Sequence, residues 1–475
     1  MRSFPVFPVL ALLFLGAAYT AAQENDFGFE EFSQELGTPG GPVFPSLKLG
    51  GEISAELDFF TGDTPSANRL GDIFSGKINF TASSAVAEAV INLKLRSEFR
   101  YASPVSIDEA YGRFFFGPLD LEAGLRKLSW GRADSFGPLD VINPLDYTNL
   151  SAIDSPRTIK IARPMIHVSW NIDSFSKLEG VFVPWFQGHK YALEGRWTPA
   201  QLVRIKTMMA AYFPAIKDLY GWSEADYTTL ESDMAEKFAS GIIDGDPLSL
   251  AYAQGGLRFT TTAGSLDLGF QYYFGRLPRI AIANIRMGPL GPIPSLQDVR
   301  NMASIDYNYY HQIGLDFAWV MGGFNFRAEG GANITGDLTG DRGDVYNPAL
   351  VWSLGFDRDL FWGLNLNLQG NGSVILMHHK ISSVPLADTE GGTHLSSTRI
   401  TAIISRRFFL DQLETKLTAL WGIEDQDFLI IPALVWTKND VGVELSGGFF
   451  GGNREGELGW YGDNGYVKIV LGWKF

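Results

Sequence analysis

Apolar and polar residues alternate with a period of two along most of the chain. From Ala87 to Tyr101 one parity reads Ala87, Ala89, Ile91, Leu93, Leu95, Ser97, Phe99 and Tyr101. The other reads Glu88, Val90, Asn92, Lys94, Arg96, Glu98 and Arg100. The same alternation runs through Leu47 to Phe59 and Phe74 to Ala82, and it predicts strands with one greasy and one charged face. A soluble sandwich alternates as well, so segment length decides. Many segments run well past the roughly five or six residues usual in soluble strands and match the roughly 9–11 residues of a tilted bilayer crossing.

Two kinds of connection separate these strands. Short turns fall at 83–86, Gly117-Pro118, 171–174, 262–264, 321–323, 358–360, 410–412 and 437–440. Longer polar loops mostly lie between them, at 60–71, 130–157, 185–248, 277–303, 336–346, 379–395 and 451–462. The pattern predicts an all-β chain: a single antiparallel transmembrane β-barrel over residues 46–475, with about eighteen strands (sixteen being the other even count within boundary error), short periplasmic turns and long extracellular loops.

The first 22 residues read as a secretory signal peptide: Arg2, an apolar run from Phe4 to Leu15, then small residues up to Ala22. Residues 23–45, with Glu24, Asp26, Glu30, Glu31 and Glu35 among Phe27, Phe29 and Phe32, read as a periplasmic N-terminal extension. No later stretch approaches the roughly 20 apolar residues of a spanning helix, so a membrane placement requires a closed barrel.

Composition narrows the function. Aromatic residues make up 13% and there are 53 glycines, which suits long strands joined by tight turns. A formal charge of −15 excludes a phosphate-tracking nucleic-acid binder. The absence of cysteine excludes disulfides, thiolate metal sites, cysteine nucleophiles and lipid attachment at cysteine. Gly-x-Ser-x-Gly, P-loop and His-Glu-x-x-His patterns are all missing. His378-His379 points to opposite faces of a strand or into a solvated loop, and Asp337, Asp341 and Asp344 lack calcium-loop spacing, so neither group is expected to hold a metal. No enzyme activity, cofactor or metal is expected.

Four segments carry two resemblances. Val467, Ile469, Leu471, Trp473 and Phe475 share one parity, and this strand resembles the C-terminal strand of bacterial outer-membrane proteins. The resemblance implies that Trp473 and Phe475 form a signal read by the barrel-assembly machinery. Trp130-Gly131-Arg132-Ala133-Asp134 followed by Leu139-Asp140-Val141-Ile142-Asn143-Pro144-Leu145-Asp146-Tyr147 is similar to a segment of a broad, poorly characterised group of porin-like outer-membrane barrels of Gram-negative bacteria. Val181-Phe182-Val183-Pro184 and Gly195-Arg196-Trp197 resemble later segments of that group. The likeness implies fold and location, with outer-membrane lipid and lipopolysaccharide as surroundings; it brings no catalytic residues.

By analogy with general porins, loop 130–157 is expected to fold into the lumen. It carries Asp134, Asp140, Asp146 and Asp154, while Lys94, Arg96, Arg100, Arg113 and Arg126 sit on the polar parity of the third to fifth strands with Glu98 nearby. An acidic loop facing a basic wall would set a transverse field across a constriction. The alternative is that these charges pair with one another and with Glu98 or Glu122 to hold the loop down. In loop 185–248, Thr198-Pro199 and Ser223-Glu224-Ala225-Asp226 predict the starts of two short helices. The function expected is an outer-membrane channel for passive diffusion of small polar solutes, with a transporter of hydrophobic molecules or, further off, a barrel enzyme as alternatives.

Overall fold

The computed structural model describes residues 46–62, 74–96, 105–153, 156–204, 249–283, 304–383 and 387–475, with a few positions between 207 and 229. The signal segment, the N-terminal extension, Glu98 and Arg100 lie outside the described residues, as does the side chain of Arg96.

Eighteen long strands follow one another: β1 (Ser46–Phe60), β2 (Phe74–Ser83), β3 (Ala87–Arg96), β4 (Val105–Phe116), β5 (Leu119–Arg126), β6 (Arg163–Asn171), β7 (Ser176–Val183), β8 (Gln254–Ala263) and β9 (Leu266–Arg276). The second half comprises β10 (Tyr309–Met321), β11 (Phe324–Thr335), β12 (Ala349–Asp359), β13 (Leu364–Ile375), β14 (Ser396–Phe408), β15 (Leu413–Gly422), β16 (Asp427–Lys438), β17 (Val441–Gly452) and β18 (Tyr466–Lys474). Each pairs antiparallel with the next, and β1 pairs antiparallel with β18 from Glu52↔Lys474 to Phe60↔Tyr466, so the sheet closes into a transmembrane barrel with no free edge.

Leu315, Phe317 and Trp319 of β10 and Leu268 and Phe270 of β9 are exposed on the outside, giving the barrel the apolar outer band that a bilayer would cover. The intervening positions face inward. The short connections end in residues built for tight reversal: Gly322 and Gly323 carry φ of 60° and 79°, the pair of positive values that a two-residue hairpin of matching twist requires. Phe409, Leu410 and Asp411 also hold positive φ, in a turn without glycine. At the seam, Gly51 N donates to Phe475 O (2.9 Å) and Phe475 N to Gly51 O (3.1 Å). The Phe475 ring covers Gly51 so closely that a Cβ there would lie 2.5 Å from it.

Two irregularities depart from strict alternation. Asn92 pairs with Glu109 and Leu93 with Ile107, leaving Asp108 as the extra residue of a bulge. Asp108 and Glu109 consequently act on the same inner face: Asp108 pairs with Lys94 (2.7 Å) and Lys127 (2.5 Å), while Glu109 accepts from Asn92 Nδ2 (3.2 Å). In the β16–β17 ladder the pairing skips Ile431 and Pro432, consistent with the missing N–H of the proline.

The inner face is not polar throughout. Val181, Val183, Tyr273 and Tyr310 pack with Trp130 and Ile142 of the β5–β6 loop, and Leu429, Ile431, Phe450 and Tyr466 pack with Leu150 and Trp197. These inward apolar patches are covered by loops, which is how they avoid water.

Candidate functional site

The β5–β6 loop runs along the inner wall because the opposite strands offer it acceptors and donors. Glu329 of β11 accepts from the backbone N–H groups of Arg132, Ala133 (2.7 Å) and Leu139 (3.3 Å). Gly131 and Gly137 make this approach possible: a Cβ at Gly131, whose φ is 89°, would stand 2.3 Å from Glu329 Oε1, and one at Gly137 2.9 Å from Oε2. Arg132 Nε donates to the buried Asp316 (2.8 Å), which also pairs with Arg258 (2.8 Å). Gln271 and Gln312 donate to the Leu139 and Pro138 carbonyls (2.8 and 3.0 Å), and Gln369 Oε1 accepts from the N–H groups of Asp134 and Ser135 (3.0 and 3.1 Å). Four strands, β9, β10, β11 and β13, are engaged in this way.

The loop carboxylates take their bonding partners from residues other than Arg113 and Arg126. Asp134 pairs with Arg327 and accepts from Asn367 Nδ2 (2.8 Å). Asp140 pairs with Lys160, its carboxyl pushed up by burial against the pull of that ammonium. Asp146 accepts from the Thr148 backbone N–H (3.0 Å) and hydroxyl (2.5 Å). Asp134, Asp140 and Asp146 thus each have a bonding partner of their own.

The basic wall has acids of its own. Cross-strand register sets Glu88 opposite Arg113, Arg113 opposite Glu122 and Glu122 opposite His167. The resulting contacts are Glu88–Arg113 (3.4 Å), Arg113–Glu122 (2.6 Å), Glu122–His167 (2.8 Å) and His167–Glu179 (3.3 Å), with Arg126 also on Glu122. This is a ladder in which carboxylates alternate with Arg113 and the His167 ring across five strands. Lys94, Glu88 and Arg113 keep 20%, 23% and 30% of their side chains exposed, so water reaches the ladder from inside the barrel.

Past Asn143 the loop crosses toward the other wall. Asp146–Tyr147 pairs in parallel with Lys190–Tyr191 of the β7–β8 loop, Tyr147 stacks on Tyr191 at 5.6 Å, and Lys468 Nζ of β18 donates to Ser151 O (2.8 Å). Trp197 packs against Phe450 and Tyr461 at 5.7 and 5.8 Å, while Arg196 lies 3.5 Å over the Phe60 ring. Residues 200–204 and 224–226 are helical, and Ser223 and Asp226 exchange reciprocal cap hydrogen bonds (Asp226 N to Ser223 Oγ 3.2 Å, Ser223 N to Asp226 Oδ2 3.1 Å). Asp337 accepts from the backbone of Gly340 and Arg342 (2.9 and 2.8 Å), Asp341 pairs with Lys380 (3.0 Å) and Asp344 with Arg342 (3.0 Å). These three acids are occupied by their own loops.

His189 joins the two crossing loops. Its Nδ1 accepts from Leu145 N (2.9 Å), a bond that only the neutral ring makes, and burial, then the nearby Arg279, lowers its pKa to about 3. Because the folded pKa lies below the unfolded one, this junction is fully stable above about pH 6.5 and weakens as pH falls toward 3. At pH 4.5 the penalty is on the order of 2–3 kcal/mol. Amide exchange at Leu145 and Lys190, corrected for intrinsic rate, should accelerate between pH 6.5 and 4.5, and His189→Gln, which keeps an acceptor without the titration, should remove that dependence. Identical pH profiles for both proteins would sink the assignment.

No family model and no curated protein matches the chain. Among solved structures it is similar to OccAB4 of Acinetobacter baumannii (8% identity, 91% of this chain and 98% of that one, TM-score 0.49). It is also similar to OpdL of Pseudomonas aeruginosa (9%, 91% and 98%, TM-score 0.47) and to the outer membrane channel DcaP of Acinetobacter baumannii (8%, 91% and 98%, TM-score 0.41).

Proposed function

We propose that the chain is a channel of the bacterial outer membrane for passive diffusion of small polar solutes. The observation that carries this reading is the two-faced wall: a closed eighteen-stranded barrel, apolar outside, with half-exposed charged pairs on its inner face. Barrels of about 16–18 strands enclose more space than their own side chains fill. The β5–β6 loop narrows that space, and the constriction lies between its tip and the half-exposed charges Lys94, Glu88 and Arg113 across the lumen. Since Lys94, Glu88 and Arg113 each have an opposite neighbour, the lining selects weakly by ionic charge and mainly by size and hydrogen bonding. Transport of hydrophobic molecules fits less well, because the inward apolar patches are already covered by Trp130, Ile142, Leu150 and Trp197. Trp473 and Phe475 are assigned to assembly, and the acidic outer loops to a cation-bridged lipopolysaccharide surface.

Purified protein in a planar lipid bilayer tests this directly. Stepwise ion currents and leakage of small sugars from loaded liposomes are expected. A correctly folded, heat-modifiable barrel that produces neither overturns the reading.

A further inference from the structure

Between the loop tip and the wall of β13 and β14 lies a polar pocket of about 210 Å³. Asn371 and Ser373 reach it from β13, Ser397 and Arg399 from β14, Glu457 from the β17–β18 loop, and Phe136 from the loop tip. Arg399 NH2 donates to Glu457 Oε2 at 3.1 Å, and its buried Nε has no partner. Glu457 itself is 73% exposed. Among the described residues the side chains of Asn371, Ser373 and Ser397 make no hydrogen bond to protein, although the inward groups on the neighbouring loop face are nearly all committed to holding the loop. Asn371 and Ser373 are partly exposed and Ser397 exposed, so their polar atoms are open to a solute in this pocket.

The geometry points to a binding site for a neutral polyhydroxylated solute of sugar class, on the route through the barrel. Charge makes the choice. A free anion would meet the exposed Glu457 with Asp425 and Asp427 close behind it, and a free cation would meet Arg399. A hydroxyl group donates and accepts at once, so it pairs with both members of the Arg399–Glu457 pair, with the Asn371 amide and with the serine hydroxyls. Phe136 supplies an aromatic surface for the C–H face of a ring. The inference rests on the channel reading only for how the solute arrives; binding itself needs only the folded barrel.

The full-length protein in detergent, titrated with sucrose by calorimetry, measures the site, and single-channel recording with sucrose added to one side measures its place in the pore. Saturable binding and a saturable reduction of current are expected. Asn371→Leu and Ser397→Leu should each weaken binding about tenfold, the usual worth of one hydrogen bond, while Ser397→Thr should retain it. Because the side chains of Asn371 and Ser397 make no hydrogen bond to protein, both leucine variants should keep wild-type heat modifiability, so that loss of binding is separable from loss of fold. Binding without any ion current would leave the site standing and overturn the channel. Current without sucrose binding, or leucine variants that bind as the wild type does, would overturn the site. Tighter binding of gluconate or glucosamine than of sucrose would overturn the neutral class and assign the pocket to an ion.

Discussion

Leu315→Arg should cost the barrel about 2–4 kcal/mol of folding free energy, the penalty of an arginine near the bilayer midplane on the lipid side of a strand. Leu315 lies at the middle of β10 and is 63% exposed on the outer face. Lys94→Leu, on the inner face, should fold nearly as the wild type does, since Asp108 retains Lys127 when Lys94 is gone. Urea-dependent folding into liposomes measures both. Equal midpoints would mean that inside and outside have been exchanged, because a one-residue slip in parity moves every side chain to the other face.

The second large effect concerns the loop. Glu329→Ala removes the acceptor of the Arg132, Ala133 and Leu139 N–H groups. Each buried N–H left without a partner costs about 1–3 kcal/mol, so the loop tip should detach from the wall rather than stay in place. Detachment should raise single-channel conductance and shift the emission of Trp130, now 3% exposed, to longer wavelength. Glu329→Gln, which keeps one carbonyl acceptor, should fall between the two. Unchanged conductance and emission in the alanine variant would show that the bonds to Asp316, Gln271, Gln312 and Gln369, with the apolar packing of Trp130 and Ile142, hold the loop without the carboxylate.

The barrel was legible in the sequence because its rule is local. Parity at Leu93 and Lys94 reports which side of the wall each residue occupies without reference to any other strand, and the turns announce themselves through Gly117-Pro118 or Gly322-Gly323. The bulge at Asp108 was not legible, since two adjacent acids read the same whether the strand is regular or not. Partner choice inside the barrel was also hidden. Asp134 pairs with Arg327 and Asn367, and nothing near residue 134 distinguishes those from Arg113 or Arg126; the closed sheet alone decides which wall the loop lies against. One signal did precede the structure unrecognised. Gly131 and Gly137 mark where backbone must approach a large side chain. Glu88 stands opposite Arg113 in a register that the Gly117-Pro118 turn does not set; the Arg113–Glu122 pair follows from that turn and is the alternative pairing the sequence already offers.

The loop's attachment also dictates a schedule. Its acceptors stand 197 residues downstream at Glu329 and 235 downstream at Gln369, counted from Arg132 and Asp134. No hairpin formed earlier can satisfy them, so residues 131–139 find their acceptors only after β11 and β13 have joined the growing sheet. Contacts of such span form slowly, because the chain entropy of bringing distant segments together is spent before the contacts reward it. Folding of this protein should therefore show docking of the loop as a step that follows the joining of β11 and β13 to the sheet.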